Sequence, residues 1–420
     1  MDTYIKEEKT SFNGYALMMI IIGALSGTNA VYSFVVGSTP IYTEQLIAVI
    51  FLFITLFMHK GVLYNVKIYI TRDLFYLYLC IIGSVIPVLI FNISNLYQWM
   101  VGVMYTSLFA IIIILIVELK EYIDYLYIGI GISIILNFGF TLYAFYMYRN
   151  GVIWSLSEVF PQTQIAQHVL SNAFRARGLF REQGHLMRYM AVFFLPIVSH
   201  FSMRNEKWVG WLLGILMIIM IALSGSATIA VFIGGIVIYL ILSMRRNAPK
   251  VIISIAAFLL AVFLIMSFIG SRNDFINQLV TAFTYGFYSI FTTSGSNGER
   301  LQGMQYCLRV IKDYPVIGCG WNNVTKLFMK YGFYGQNNVL GSYSAGLSLI
   351  AELGVFSAFY FYFVISKSIR LLKSVNNKEN VALGVSFLMY LALFFLTDYS
   401  IDSGVSILLG LVLIRYQEVY

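Results

Sequence analysis

The sequence predicts an all-α integral membrane protein that crosses the bilayer many times. Of its 420 residues, 60% are hydrophobic and only 11% are charged, whereas roughly 25% of the residues in a typical soluble domain are charged. The mean hydropathy of +0.81 shows that apolar residues take the place of the missing charges. Together these values exclude a soluble enzyme, a disordered chain and a disulfide-rich secreted domain.

Apolar runs close to the about 20 residues that one helical span requires predict about twelve transmembrane helices. The first has no cleavable signal pattern before it, so we expect a retained helix. The runs lie at roughly 15–36, 41–58, 73–91, 97–117, 123–148, 186–203, 208–222, 226–242, 251–270, 342–365, 381–397 and 403–415. Within them, the pair Gly23 and Gly27 has the small-residue spacing that is typical of helix packing.

The distribution of Lys and Arg predicts that both termini are cytoplasmic. With this orientation, 16 of the 27 basic residues fall in the N-terminal segment, the inner loops and the C-terminus. The short outer loops near 37–40, 92–96, 223–225 and 398–402 carry none. The net charge of +8 is therefore mostly the usual inside bias, and it gives no support to nucleic-acid binding.

The other eleven basic residues gather in or beside two long outer segments, at about 149–185 and 271–341. Loops longer than about 15 residues are usually functional or disordered, and the aromatic and aliphatic content of these two argues against disorder. We therefore interpret residues 1–420 as a single membrane domain whose function lies in the two outer loops.

The first outer loop ends in a dense polar group before the sixth predicted span. Its members are Arg175, Arg177, Arg181, Glu182, His185 and Arg188. The planar guanidinium of Arg binds phosphate in a bidentate fashion, and Gly178 and Gly184 would let backbone N–H groups approach an anion. This pattern predicts an anion site suited to a lipid diphosphate. The alternative is that the Arg side chains anchor to headgroups and cap the helix.

The second outer loop contains a predicted amphipathic helix near 299–313, which Pro315 ends. Its apolar residues recur at helical spacing, at Leu301, Met304, Leu308 and Ile311. Arg300 and Arg309 are nine positions apart, which places them on opposite sides of a straight helix with 3.6 residues per turn. At least one of these two Arg residues is therefore structural.

Two glutamates lie within predicted spans, Glu44 near the outer end of the second and Glu352 in the tenth. Ionisable residues inside spans are usually functional. For Glu352 the alternative is that it orients an outer-loop Arg. Cys307 and Cys319 could pair in an oxidising compartment, and we expect neither a metal nor a cofactor because no Cys/His spacing resembles a metal site.

Four local patterns resemble the superfamily of O-antigen and capsular polysaccharide polymerases (Wzy-type) and O-antigen ligases. Each pattern alone is short, but their order and the two long outer loops also agree with that superfamily. The patterns are Arg175-Ala-Arg-Gly-Leu-Phe, Leu223-Ser-Gly-Ser-Ala-Thr, Glu299-Arg300 followed by Tyr314-Pro-Val-Ile-Gly-Cys-Gly320, and Ala351-Glu-Leu-Gly354.

The resemblance implies a multi-pass enzyme of the bacterial cytoplasmic membrane with a GT-C-like glycosyltransferase architecture and metal-independent chemistry. It implies that undecaprenyl-diphosphate-linked oligosaccharides serve as donor and acceptor, with a chain-length regulator and a flippase as further partners. The expected diphosphate and glycan ligands are Arg175, Arg177, Arg181, Arg300 and Arg309. Glu182, His185 and Glu299 are the alternatives for the catalytic base, and Glu352 and Gly320 support the site.

Two departures bear on the type of enzyme. Ligases of the superfamily usually have a His about nine residues before the last glutamate, and Tyr343 lies there in this chain. Arg309 and Gly320 fit the Arg-x10-Gly pattern of polymerases, but no Arg of the first loop does. We therefore expect a polymerase that makes O-antigen or capsule chains. The alternatives are an O-antigen ligase and, from a different class, a transporter or flippase.

Overall fold

The computed structural model consists mainly of α-helices. It describes residues 13–28, 32–36, 39–63, 65, 72–91, 96–150, 174–180, 183–226, 228–244, 249–250, 253, 256, 296–321, 323–332, 343–374, 377–397 and 402–419. The helices over these residues are α1 Gly14–Leu25, α2 Thr43–Met58, α3 Arg72–Gly83, α4 Val85–Phe91, α5 Leu96–Glu118, α6 Ile123–Arg149, α7 Gln183–Met203, α8 Lys207–Ser224, α9 Ile229–Met244, α10 Ser296–Asp313, α11 Val324–Lys330, α12 Ala345–Leu353, α13 Ser357–Lys373, α14 Lys378–Leu396 and α15 Ser403–Val419.

Several helical stretches have the length and composition needed to cross a bilayer. Within the described ranges, six are long and apolar enough, and five shorter apolar helices accompany them. The long stretches are Trp99–Glu118, Lys120–Arg149, Gln183–Met203, Lys207–Ser224, Ala345–Lys373 and Lys378–Leu396. The chain is therefore a helical, multi-pass membrane protein. The predicted span 251–270 lies almost wholly outside the described residues.

The first predicted span, 15–36, is wrong in its second half. α1 ends at Leu25, and Tyr32–Val36 forms a strand that pairs antiparallel with Thr39–Tyr42. The Ser26 hydroxyl donates to a carbonyl of the last helical turn at 2.7 Å, so the side chain supplies a bond that a further turn of helix would have made. Aromatic and β-branched residues then favour the strand.

Small residues bring α1 and α6 into close contact. A Cβ atom added to Gly23 would lie 2.5 Å from the Leu126 carbonyl oxygen, and one added to Gly27 would lie 2.1 Å from Ser133 Oγ. Both substitutions would separate the helices, so the predicted packing role of this pair is confirmed. The core around this contact also includes α5, α7, α14 and α15.

An ionic network joins α6, α7, α14 and α15 at one end of the bundle. His200 Nδ1 lies 2.9 Å from Glu379 Oε1, and Arg415 donates to the other oxygen of Glu379 at 2.6 Å. Asp124 forms an ion pair with Arg204 and lies 3.8 Å from His200 Nε2. Arg204 and Arg415 are residues that the charge distribution assigns to the cytoplasmic side, so the network lies opposite the predicted outer loops.

Candidate functional site

The first motif is bound to the second by hydrogen bonds. Residues 174–180 lie against the connection between α8 and α9, where Ala176 N donates to the Leu223 carbonyl at 2.8 Å. The Arg175 side chain donates from Nε to the Ser224 carbonyl at 3.1 Å and from a terminal nitrogen to the Gly225 carbonyl at 2.6 Å. These carbonyls end α8 and have no partner within the helix. Arg175 is therefore used, at least in part, to cap a helix.

A buried asparagine in the middle of α6 receives the other end of this segment. Asn137 Oδ1 accepts from Leu179 N at 2.8 Å, and its Nδ2 donates to the Gly27 carbonyl at 3.0 Å. Gly178 makes the approach possible, because its φ of +53° suits glycine and an added Cβ would lie 2.3 Å from Asn137 Oδ1. Sequence reasoning missed Asn137, since a single amide in a long apolar helix carries no motif.

Arg177 lies between these two anchored ends and is half-buried. Burial lowers the pKa of its guanidinium, although an Arg side chain remains charged at physiological pH. A partly desolvated cation interacts with an anion more strongly than an exposed one does, because less of the field is screened by water. The docked segment therefore holds Arg177 in a setting that favours an anionic ligand.

The start of α7 holds His185 and Arg188 beside the ends of α12 and α14. Arg188 is almost fully buried and donates to the Gly184 carbonyl and to Thr397 Oγ1, each at 3.1 Å. The Thr397 carbonyl accepts from Ala345 N, the first residue of α12, at 2.8 Å. Through this residue the first outer loop is connected to the helix that carries Glu352. Arg181 and Glu182 lie outside the described residues.

The third and fourth motifs also form one unit. The segment between α10 and α11 lies against the end of α12, where Cys319 N donates to the Ala351 carbonyl at 2.8 Å and Gly320 N to the Glu352 carbonyl at 3.0 Å. In the opposite direction, Val355 N donates to the Val316 carbonyl at 2.8 Å. The four patterns that the sequence contains as separate motifs are thus two docked pairs.

Glycines make the second pair possible. Gly318 has a φ of +74°, and its added Cβ would lie 2.2 Å from the Glu352 carbonyl oxygen. Gly354 has a φ of +54°, and its Cβ would lie 2.3 Å from the Val316 carbonyl oxygen. Gly320, an expected supporting residue, has a φ of +94°. We conclude that these glycines serve the backbone contact between the motifs.

The two Arg residues of α10 have different surroundings. The guanidinium carbon of Arg309 lies 4.6 Å from the ring centroid of Tyr331, which is the geometry of a cation–π contact. Arg300 lies in the first turn of α10, is partly buried and makes no hydrogen bond or ion pair with any other residue that the structure describes. Glu299 immediately precedes Arg300 in α10, but its side chain is not among those that the structure describes.

Glu352 is partly buried beneath α10 and close to both outer-loop cysteines. Burial, with Glu352 as a further contributor, raises the pKa of Cys307 and of Cys319 to about 12. Both are free thiols, and protonated thiols are poor nucleophiles. No group of three or more His, Cys, Asp or Glu side chains within the described ranges is arranged to hold a metal ion.

A comparison with known families identifies the segment that contains three of the four motifs. The family model described as O-antigen ligase, Wzy_C, matches residues 212–362. Residues 212–362 are a Wzy_C domain. This match is consistent with the superfamily of O-antigen ligases and polymerases, so the predicted resemblance is confirmed. The Wzy_C domain begins after Arg175 and Arg177, but hydrogen bonds from their segment to Leu223, Ser224 and Gly225 bind it to the domain. No curated protein matches the chain.

Proposed function

We propose that the protein is a polysaccharide polymerase at the outer face of the bacterial cytoplasmic membrane. It joins oligosaccharide repeat units carried on a polyprenyl diphosphate, with one unit as donor and another as acceptor. The observation that carries the proposal is the half-buried Arg177, held between two anchored ends of a segment that is bound to the Wzy_C domain.

The reaction requires little beyond charge stabilisation and one base. A hydroxyl oxygen of the acceptor attacks the anomeric carbon of the donor, and the bond from that carbon to the diphosphate oxygen breaks. The electron pair of the broken bond stays on the lipid diphosphate, and the hydroxyl proton passes to the base. Guanidinium groups stabilise the charge that develops on the diphosphate, so no metal ion is required.

Three residues remain candidates for the base. The first outer loop contributes a glutamate and a histidine, and the second contributes a glutamate. His185 lies in the first turn of α7, one helical turn before the buried Arg188. Glu182 immediately precedes that helix in the sequence, and Glu299 lies in the first turn of α10 beside Arg300. We propose His185 as the first to test, because an imidazole accepts a proton near neutral pH.

A polymerase is favoured over a ligase by the residue that precedes α12. Tyr343 occupies the position where ligases of the superfamily usually have His, and its backbone has a φ of +56°. This conformation is rare for a bulky residue. An ordinary Tyr hydroxyl has a pKa of about 10, so it is a much weaker base than imidazole near pH 7. The Tyr at this position therefore supports a polymerase over a ligase whose mechanism depends on His.

The broken helix between α12 and α13 does not favour transport. Transporters use such breaks to present free carbonyl groups to ions near the middle of the membrane. Here the carbonyls of Ala351 and Glu352 accept hydrogen bonds from Cys319 and Gly320. The freed backbone groups are used to bind the third motif, and this supports a rigid outer site.

The test is the lipid-glycan profile of a strain that lacks the protein. Loss of a polymerase leaves single repeat units on the final acceptor, because ligation continues without elongation. Loss of a ligase leaves the acceptor bare. Single repeat units support the proposal, and a bare acceptor overturns it in favour of the ligase. Re-expression of the wild-type chain restores long chains and serves as the control.

A further inference from the structure

Helix α10 has an apolar flank that no other residue described by the structure covers. Its buried side is formed by Cys307 and Val310, which pack with Ala351 of α12. Leu301 and Leu308 are 47% and 55% exposed. They are seven residues apart and lie within about 20° of each other around the helix axis.

The exposed half of α10 runs from an apolar flank at Leu301 and Leu308, through exposed Gln305 and Lys312, to a polar flank. Gln302, Arg309 and Asp313 are exposed on the polar flank. Gln302, for example, lies about 120° around the helix axis from Leu308. A helix with one protein-facing side, one apolar side and one polar side fits the boundary between lipid and water. In bulk water the two leucines would lie unfavourably exposed.

The apolar flank is connected to a surface that faces lipid. α13 and the turn before it have an exposed apolar stripe formed by Val355, Tyr362, Ile365 and Ile369, and this stripe belongs to the candidate span Ala345–Lys373. Val355 N donates to the carbonyl of Val316, which follows α10 and is 65% exposed. The lipid-facing surface therefore continues from the span onto the segment that ends α10.

The length of the span gives the depth of this contact. A helical stretch of 29 residues is at most about 43 Å long at 1.5 Å per residue, against a hydrocarbon core of about 30 Å. If the stretch is centred, about 6 Å extends beyond the core at each end. Ala351 and Val355 lie about 9 and 15 Å from its first residue. On this upper bound, Ala351 lies about 3 Å and Val355 about 9 Å inside the outer boundary of the core, within the outer leaflet.

We propose that α10 lies along the outer leaflet of the bilayer, with Leu301 and Leu308 among the acyl chains and Gln302 and Arg309 toward water. α10 is then a membrane-embedded part of the enzyme. A role of Arg300, the fifth residue of α10, on a diphosphate rests on the proposed function, whereas the depth of the helix does not.

The test compares two single-cysteine variants of the full chain, Leu308→Cys and Gln302→Cys, labelled with an environment-sensitive fluorophore. The three natural cysteines are buried, so the labelled wild-type protein measures the background. The variants are reconstituted without substrate into phosphatidylcholine and phosphatidylglycerol vesicles, which contain either nitroxide-labelled lipid or iodide on both sides. Thermal midpoints equal to that of the wild type confirm that both variants are folded.

We expect the Leu308→Cys label to be quenched several-fold more by the nitroxide lipid than the Gln302→Cys label, and the Gln302→Cys label to be quenched several-fold more by iodide. Equal quenching of the two labels by iodide would mean that the helix lies in water, and this overturns the proposal. A Leu308→Cys label that is protected from both quenchers also overturns it, because a second copy of the chain would then cover the flank. Since no substrate is present, either result is independent of the polymerase proposal.

Discussion

Arg175 and Arg177 are two residues apart, and their side chains have different surroundings. Arg175 donates two hydrogen bonds to the carbonyls that end α8, whereas Arg177 lies half-buried between the anchored ends of the segment. Charge density predicts both as anion ligands, because it does not reveal which contacts each guanidinium makes. The bonds to the end of α8 give Arg175 a structural role, and the proposed anion site rests on Arg177.

Replacing Arg177 tests the proposed anion site. We expect Arg177→Ala to abolish polymerisation at a normal protein level and thermal midpoint, because the charge that stabilises the leaving diphosphate is lost. Arg177→Lys should restore little activity, since an ammonium group does not reproduce the bidentate fork. Chain length on gels of lipid-linked glycan measures the effect. Lys312→Ala, which removes an exposed outer-loop cation, is the control, and full-length polymer in Arg177→Ala would refute the role.

Replacing Arg175 should have a different signature. Hydrogen bonds from charged groups contribute about 1.5–3 kcal/mol, so Arg175→Ala should lower the thermal midpoint of the purified protein by several degrees. Activity should fall together with stability and recover in part at lower temperature. An unchanged midpoint with complete loss of activity would instead make Arg175 a direct ligand of the substrate.

Gly178 is required by its backbone conformation and by the approach to Asn137. We expect Gly178→Ala to lose most activity, because the side chain would meet Asn137 Oδ1 at 2.3 Å and the φ of +53° is strained for Ala. Strain of this kind costs on the order of 1–3 kcal/mol. Gly139→Ala is the matched control, since no atom lies within 4 Å of its added Cβ. Equal activity of the two variants would contradict the docked geometry.

At the scale of elements, the sequence predicted where most helices lie but not where they end. Helical periodicity and apolar length identify α5 to α8 and α14 well, because their boundaries coincide with changes in composition. The end of α1 at Leu25 depends instead on the bond that the Ser26 side chain makes to the last helical turn. The break at Gly354 depends on a partner far away in the sequence, because Val355 N donates to the Val316 carbonyl. The paired motifs depend on distant partners as well. Each motif can be recognised in the sequence by itself, but the contact between two motifs cannot.

The contact between the third and fourth motifs can be tested with glycines. We expect Gly318→Ala and Gly354→Ala each to reduce both the thermal midpoint and polymerisation, because each added Cβ would lie within 2.3 Å of a backbone oxygen. Gly332→Ala is a matched control with a φ of +82° and no atom within 4 Å. It shares the conformational strain but lacks the clash. Similar losses in all three variants would show that strain alone, and not the contact, is responsible.

At the scale of the whole molecule, the few charged residues are concentrated in two groups. One group forms the buried network of His200, Glu379 and Arg415, which with Asp124 joins four helices at the end opposite the predicted outer loops. Another lies in the two outer segments around the docked motifs. Three of the four networked helices, α6, α7 and α14, lead directly to Asn137, Arg188 and Thr397. The inner network therefore stabilises the same helices that position the candidate site.

Composition was sufficient to predict the class of the protein, because 11% charge over 420 residues leaves no other fold class. The candidate site could be predicted only in part. Charge predicts Arg177 and Arg300 as candidate ligands, a prediction that stays open, but it does not point to Asn137 or the shared Thr397, because a neutral polar residue in an apolar helix has no distinctive pattern. Their importance follows from contacts between distant segments, and these exist only in the folded chain.

The central claim is that this chain alone elongates glycans by using lipid diphosphate as the leaving group. The most direct measurement is a reaction in vesicles that contain the purified protein, defined lipid-linked repeat units and a metal chelator, with no ion gradient. The account predicts a ladder of products that grows by one repeat unit per step, with release of one lipid diphosphate for each bond formed. Transfer of single units to a different acceptor, without any ladder, would contradict it.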